Sequence, residues 1–239
     1  MKKQRTAILA SIALAGGVAL TALAPAAAQA ATFNPCSAAN HGRLKYSTGS
    51  ARHLVFAISS AYSSNYVVVT ECVKQGKSWK KVSATKGRAG TKAFARPGAK
   101  REGDGKSPTG SFTLTDAFGL GNPGTKLKYR TLRGSGDCWG STPGKSHYNA
   151  YYAASPCRST DEDLSATARR GPYHQAVVIN YNRPKPKSGY GSAIFFHVGG
   201  VTPTAGCISI KEPQLRAVMR TLVPNDRMIM GPKSALFRS

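Results

Sequence analysis

Glycine and proline interrupt this chain so often that long helices have little room to form: 25 Gly and 14 Pro are spread through 239 residues. Between the interruptions lie short runs rich in Val, Ile, Phe and Tyr, with the length and composition of β-strands. Residues 52–59, 65–70 and 79–83 read as successive strands, with Ser63-Ser64 and Gln75-Gly76 suited to the turns between them. Residues 110–115 alternate apolar and polar side chains, the pattern of a half-buried strand. Residues 176–181 and 193–197 are almost continuously apolar, which predicts strands covered on both faces. Helices are few. Glu212-Pro213 opens one, and Leu215, Val218, Met219 and Leu222 give it a single apolar stripe before Pro224. A second, shorter helix is expected over residues 161–170, capped by Thr160. The expected fold is therefore mainly β: one β-sandwich domain with one or two short helices. Residues 120–156 form a long Gly- and Ser-rich loop, and loops of that length act as lids or are disordered insertions.

The first thirty residues carry an address. Lys2, Lys3 and Arg5 precede an Ala/Leu/Val-rich run, and Ala28-Gln29-Ala30 supplies a small-residue cleavage site, the layout of a secretory signal. An uncleaved anchor fits less well, because Gly16-Gly17 breaks a run that is poor in Leu, Ile and Phe. Cleavage after Ala30 leaves 209 residues and lowers the formal charge from +24 to +21. No later segment is apolar for long enough to span a bilayer, so no stable membrane span is expected after cleavage. The organisation expected is a signal at 1–30, a leader at 31–50, one catalytic domain at 51–232 and a tail at 233–239. The destination is the cell wall or the medium. A chain this basic seeks polyanions. Without a recognisable nucleic-acid module, anionic envelope polymers are the better match than nucleic acid, while a solvated lysine face is the plain alternative.

An exported compartment favours disulfides, and five cysteines leave one over. Cys36 with Cys72 and Cys138 with Cys157 is the sequence-local pairing of four of them; three pairings are possible. Cys207 is the candidate free thiol, since it alone follows a histidine and is preceded by Gly206. The segment from Ser192 to Ile210 puts His197 at the end of one apolar strand and Cys207 at the start of another, across a Gly/Pro/Thr loop. A thiol becomes a strong nucleophile when its pKa is lowered or its proton is taken, and imidazole is suited to the second task. Gly206 lets an acyl group approach and leaves backbone N–H groups to hold an oxyanion. The plain alternative is a buried structural cysteine beside a histidine satisfied by backbone. A zinc site is poorly supported, because no Cys-x-x-Cys or His-x-x-x-His pair supplies further ligands, and no metal or organic cofactor is called for. Glu102-Gly-Asp104-Gly reads as a tight turn rather than a catalytic carboxylate pair. Tyr181 and Asn182 follow a buried strand and could meet a substrate, and His147 could form a wall of the cleft.

Thr204-Ala-Gly-Cys207-Ile-Ser209, downstream of Phe196-His197-Val198-Gly199, resembles the catalytic signature of the L,D-transpeptidases (YkuD-like domain). Residues 100–112, 146–149 and 178–182 are similar to the branch with a Lys-x-Glu-Gly-Asp-Gly-x-Thr-Pro motif, so the likeness runs over about residues 52–231. The resemblance implies that Cys207 attacks a peptidoglycan stem peptide, with His197 as base and the Val198 carbonyl orienting it. Backbone N–H groups around Gly206 and Cys207 would hold the oxyanion, and Tyr181, Asn182, Thr204 and Ser209 would contact substrate. Ala205 replaces the histidine of the family block, and Ser209 stands where many members carry Arg or Asn. Two other activities share the same residues: a cysteine peptidase or carboxypeptidase that hydrolyses the stem, and an inactive basic module that binds the wall.

Overall fold

A computed structural model describes residues 33–239; the signal segment and the first residues of the leader lie outside the described residues. In chain order the elements are α1 (Pro35–Asn40), β1 (His53–Ser59), β2 (Tyr66–Gln75), β3 (Ser78–Arg88), β4 (Phe94–Ala95), β5 (Ser107–Pro108) and β6 (Gly110–Gly119). They continue with β7 (Lys128–Thr131), β8 (Asp137–Trp139), β9 (Tyr151–Ala153), β10 (Glu162–Asp163), α2 (Leu164–Arg169) and β11 (Gln175–Ile179). The last are β12 (Phe195–Val198), β13 (Ile208–Ile210), α3 (Glu212–Thr221), β14 (Asp226–Pro232) and α4 (Lys233–Leu236). The architecture is mainly β, with disulfides and few, short helices.

The main sheet has the order β11-β12-β13-β3-β2-β1-β14-β6-β7, and an additional β11–β6 pairing closes it on itself. Closure depends on the length of β6, which pairs with β14 through residues 110–114, with β7 through 116–119 and with β11 through 114–119. Strand periodicity then sorts side chains onto two faces. Val177 and Ile179 of β11, Phe196 of β12 and Ile208 of β13 enter a large apolar cluster, joined by Leu215, Val218, Met219 and Leu222 from the stripe of α3. Their neighbours Ala176, Val178 and Phe195, with Cys207, face the other way into a second cluster. There they meet Trp139 of β8, Leu164 and Ala168 of α2, and Tyr173. This double coverage explains the unbroken apolar runs of β11 and β12.

The 120–156 stretch is not a structureless loop. It holds β7 on the main sheet, then β8 and β9, which with β10 build a three-stranded sheet of order β10-β8-β9. Cys138 and Cys157 are bridged across it. The second helix starts at Leu164 rather than Asp161, and Asp163, not Thr160, caps it by accepting from the Ala166 N–H. Asp161 is occupied elsewhere: its carboxylate accepts from the N–H groups of Ser141 and Thr142 and from the hydroxyl of Tyr152, tying the insertion together.

Leader and tail also belong to the packed unit, which runs from Asn34 to Ser239. Asn34 caps α1 by accepting from the Cys36 and Ser37 N–H groups, and Cys36 is bridged to Cys72 on β2. Lys45 N–H donates to Leu236 O, Arg238 N–H donates to Arg43 O, and the Phe237 ring packs on Phe56 at 5.7 Å. The described part of the leader and the tail therefore pair with each other, through Leu44 with Phe237 as well, beside the main sheet.

Candidate active site

Parallel pairing of β12 with β13 sets His197 opposite Ser209 and Phe196 opposite Ile208. Cys207 directly precedes β13, so its sulfur comes beside the start of β12: the Phe195 N–H donates to Sγ at 3.3 Å, and the thiol donates to Ala193 O at 3.3 Å. Among the described residues Cys207 is the one free cysteine. His197 and Cys207 line the same cavity, of about 550 Å³, together with Lys100, Glu102, Glu162, Tyr173 and Thr204. The His197 ring is held at two points. Its Nδ1 lies 2.8 Å from Val198 O, and Tyr173 packs edge-on against it at 5.5 Å. With Nδ1–H donating to that carbonyl, Nε2 keeps its lone pair and is free to accept a proton.

The turn before Cys207 is built for close approach. Gly206 has φ +153°, and a Cβ there would lie 3.0 Å from Lys106 O, so a side chain cannot be added without moving backbone. Thr204 Oγ1 accepts from the Gly206 N–H at 3.1 Å and donates to Cys207 O at 2.7 Å. The Gly206 N–H therefore has a partner already and would meet an oxyanion by exchanging it. Ser107 adds a second support, donating to Cys207 O at 3.0 Å and accepting from the Gly90 N–H.

Burial dominates the electrostatics. It pushes the Cys207 thiol up to about 12, against the Phe195 N–H, which favours the thiolate; Glu162 raises it further and Lys100 lowers it. Burial pushes His197 down to about 4, against the hydrogen bond to Val198 O. The resting pair is a neutral thiol and a neutral imidazole. A thiol held neutral in this way gains nucleophilic strength where a base removes its proton.

Glu162 and Tyr173 are cavity residues that sequence reasoning missed. Glu162 sits on β10, and the Tyr173 hydroxyl donates to it at 3.3 Å. Burial raises the Glu162 carboxyl, and burial followed by the charges of Glu162 and Cys207 raises Tyr173. Neither lies in a motif that spacing could flag, since the insertion brings Glu162 to the cleft only through its pairing with Trp139 of β8. The Glu102-Gly-Asp104-Gly stretch is a turn with left-handed glycines at Gly103 and Gly105. Asp104 holds the buried Lys100 ammonium at 2.7 Å, and that contact, with N–H donors from Arg101 and Lys106, keeps its carboxyl low despite burial. Glu102 accepts from the Tyr148 hydroxyl at 2.5 Å.

Three expected substrate residues are engaged in holding the fold. The Tyr181 hydroxyl donates to Tyr190 O, and the Asn182 amide bridges Lys187 O and Gly191 O; both pin the 183–192 loop and neither lines the cavity. Ser209 lines the cavity with His197 and Thr204 but is 1% exposed, and its hydroxyl accepts from the Gly200 N–H, which fixes the turn after Val198. His147 stacks on Tyr152 at 5.2 Å, away from the cavity.

Comparison with known proteins gives this arrangement a class. The family model for YkuD, the L,D-transpeptidase catalytic domain, matches residues 63–230, and the chain belongs to this family. No match is found among curated proteins. Among solved structures, the helical cell shape determining protein Pgp2 from Campylobacter jejuni is similar, at 14% identity and TM-score 0.39, over 78% of this chain and 50% of that one. Bd1075 of Bdellovibrio bacteriovorus is similar at 12% identity and TM-score 0.41, over 82% of this chain and 53% of that one. The chain spans about half the length of each.

Proposed function

We propose that the chain is an exported cysteine L,D-transpeptidase that cross-links or remodels peptidoglycan stem peptides through a thioester on Cys207. One observation carries the reading: Cys207 and His197 line one cavity, and the bond to Val198 O leaves the acceptor nitrogen of the imidazole free. His197 Nε2 takes the thiol proton as Sγ bonds to the carbonyl carbon of the penultimate stem residue. The oxyanion is held by N–H groups around Gly206 and Cys207, with Thr204 Oγ1 yielding its bond to Gly206. Collapse breaks the C–N bond to the terminal D-residue, and the imidazolium returns the proton to the departing amine. A neighbouring stem's amine then adds to the thioester, the C–S bond breaks, and the excess proton passes through His197 to the sulfur.

A buried cleft suits this sequence, since excluding water favours amine over hydrolysis. Lys100 and the acids Glu102 and Glu162 give the cavity both signs of charge, matching a stem peptide that carries carboxylates and amines. In this reading residues 1–30 direct export and are removed. Residues 51–232 carry the catalysis, supported by leader and tail, and the basic surface meets anionic wall polymers. Incubation with disaccharide tetrapeptides, read by mass, tests the proposal. Cross-linked dimer or exchanged terminal residue is expected; shortened monomer alone would make the protein a hydrolase, and unchanged substrate would remove the activity.

A further inference from the structure

A second cavity, of about 830 Å³, lies apart from the one that holds Cys207. It lies between β6–β7 of the main sheet and the insertion, and four cations line it: Lys128, Arg130, Arg133 and Arg183. Two carboxylates oppose them. Asp137 is engaged by the Arg133 N–H and the hydroxyls of Tyr151 and Ser165, while Asp116 accepts from Thr115 and stands 3.9 Å from Arg183.

Two of the arginines are mounted in the same way. The Arg130 guanidinium lies over the Tyr151 ring at 3.6 Å, and that of Arg183 over the Trp139 ring at 4.9 Å. Trp139 and Tyr151 are direct partners across β8 and β9, so the two rings stand side by side. Each ring is fixed at its polar end, Trp139 Nε1–H donating to Asn149 and the Tyr151 hydroxyl to Asp137. Two guanidiniums are thereby mounted on neighbouring rings of one cavity, and Arg183 makes one hydrogen bond, at 3.4 Å to Asn149 O, beside its ion pair with Asp116. Guanidiniums fixed on rigid aromatic supports lose little side-chain freedom when an anion binds them.

We propose that Arg130 and Arg183, mounted on Tyr151 and Trp139, form a clamp for phosphate groups of a phosphodiester-linked polyanion. Guanidinium forks match phosphate oxygens, and a tetrahedral phosphate accepts from two forks arriving in different planes, where a planar carboxylate is filled by one. Lys128 and Arg133 at the margins would attract flanking charges. The cavity has the volume of a ligand site rather than a point contact. The clamp does not depend on the chemistry at Cys207.

The test must separate a built site from the general attraction of a basic protein. Binding of inorganic triphosphate at 150 mM salt is measured by calorimetry for the native chain, for Arg130→Gln/Arg183→Gln, and for Lys80→Gln/Lys81→Gln. The lysine pair is exposed on β3, and it removes the same charge elsewhere. The clamp variant is expected to bind at least tenfold more weakly, with the lysine variant within about twofold of native. Equal losses in the two variants, or none in the first, overturn the proposal, as does a trigalacturonate chain binding as tightly as triphosphate. Should the double variant fail to fold, Arg130→Gln alone, at an exposed position, is expected to lose severalfold, and an unchanged affinity there counts against the clamp.

Discussion

The two faces of β11 and β12 share backbone and differ in almost everything else. The inner face carries Val177, Ile179 and Phe196 into a cluster of aliphatic and Met side chains. The outer face carries Ala176, Val178 and Phe195 into an aromatic layer beside His197 and Cys207. Phe195 there meets Phe118, Trp139 and Tyr173 edge-on at 5.0–5.6 Å. The titratable groups packed against the inner cluster are the partly buried phenols of Tyr62, Tyr129 and Tyr181, while the outer face buries a thiol, an imidazole, a phenol and a carboxyl under the insertion. One face of a strand pair thus carries the main apolar cluster and the other the candidate site, and the shifted pKa values follow from the cover rather than from the strands.

The sharpest way to break this comparison is to delete one group on each side. Cys207→Ala is expected to lower stem-peptide turnover at least about a thousandfold with little change in melting temperature. Phe196→Ala, its inner-face counterpart, is expected to cost about 3–5 kcal/mol, read as a lowered denaturant midpoint. A turnover loss in Cys207→Ala explained by unfolding would erase the distinction.

Acid is the next probe. His197 sits at about 4 in the folded protein against 6.5 for an ordinary histidine, so the unfolded chain binds the proton first. Its contribution is complete above about pH 6.5 and is lost as the pH falls toward 4, by about 3 kcal/mol. His197→Gln should flatten that part of the stability curve, measured by chemical denaturation at pH 4 and 7. A similar size is expected for the disulfides, whose loops of 36 and 19 residues correspond to about 3–4 kcal/mol each. Location separates them: removing Cys138–Cys157 should slow acylation of Cys207 as well, because Trp139 of the bridged insertion packs on Phe195, whose N–H holds the sulfur. Removing Cys36–Cys72 should lower stability alone. The smallest effect is expected from Glu162→Gln. The carboxylate raises the thiol pKa, so its loss should speed acylation a fewfold at neutral pH in stopped-flow kinetics.

Much of this was legible in the sequence because the signals are local. The strands around 52–59, 65–70, 79–83 and 110–115 and the stripe of α3 follow from periodicity, and the unbroken apolar runs at 176–181 and 193–197 indicate burial on both faces. Closure of the sheet rests on pairings between distant segments, such as β1 with β14 and β6 with β11, which no local pattern encodes. The insertion strands escaped because β8, Asp137–Trp139, and β9, Tyr151–Ala153, are three residues each and too short to show alternation. Tyr181 and Asn182 looked like substrate contacts for being polar at a strand end, but their side chains are engaged by the loop that follows. Glu162 had no signal at all, since only tertiary pairing brings it to the thiol's cavity.

The central claim is that the Cys207 sulfur is the nucleophile, activated at the moment of attack by His197. Acylation by a carbapenem, followed by intact mass and peptide mapping, tests it most directly. The account predicts one adduct on Cys207, formed slowly in His197→Gln and absent in Cys207→Ala. An adduct on another residue, or none on the native chain, would contradict it.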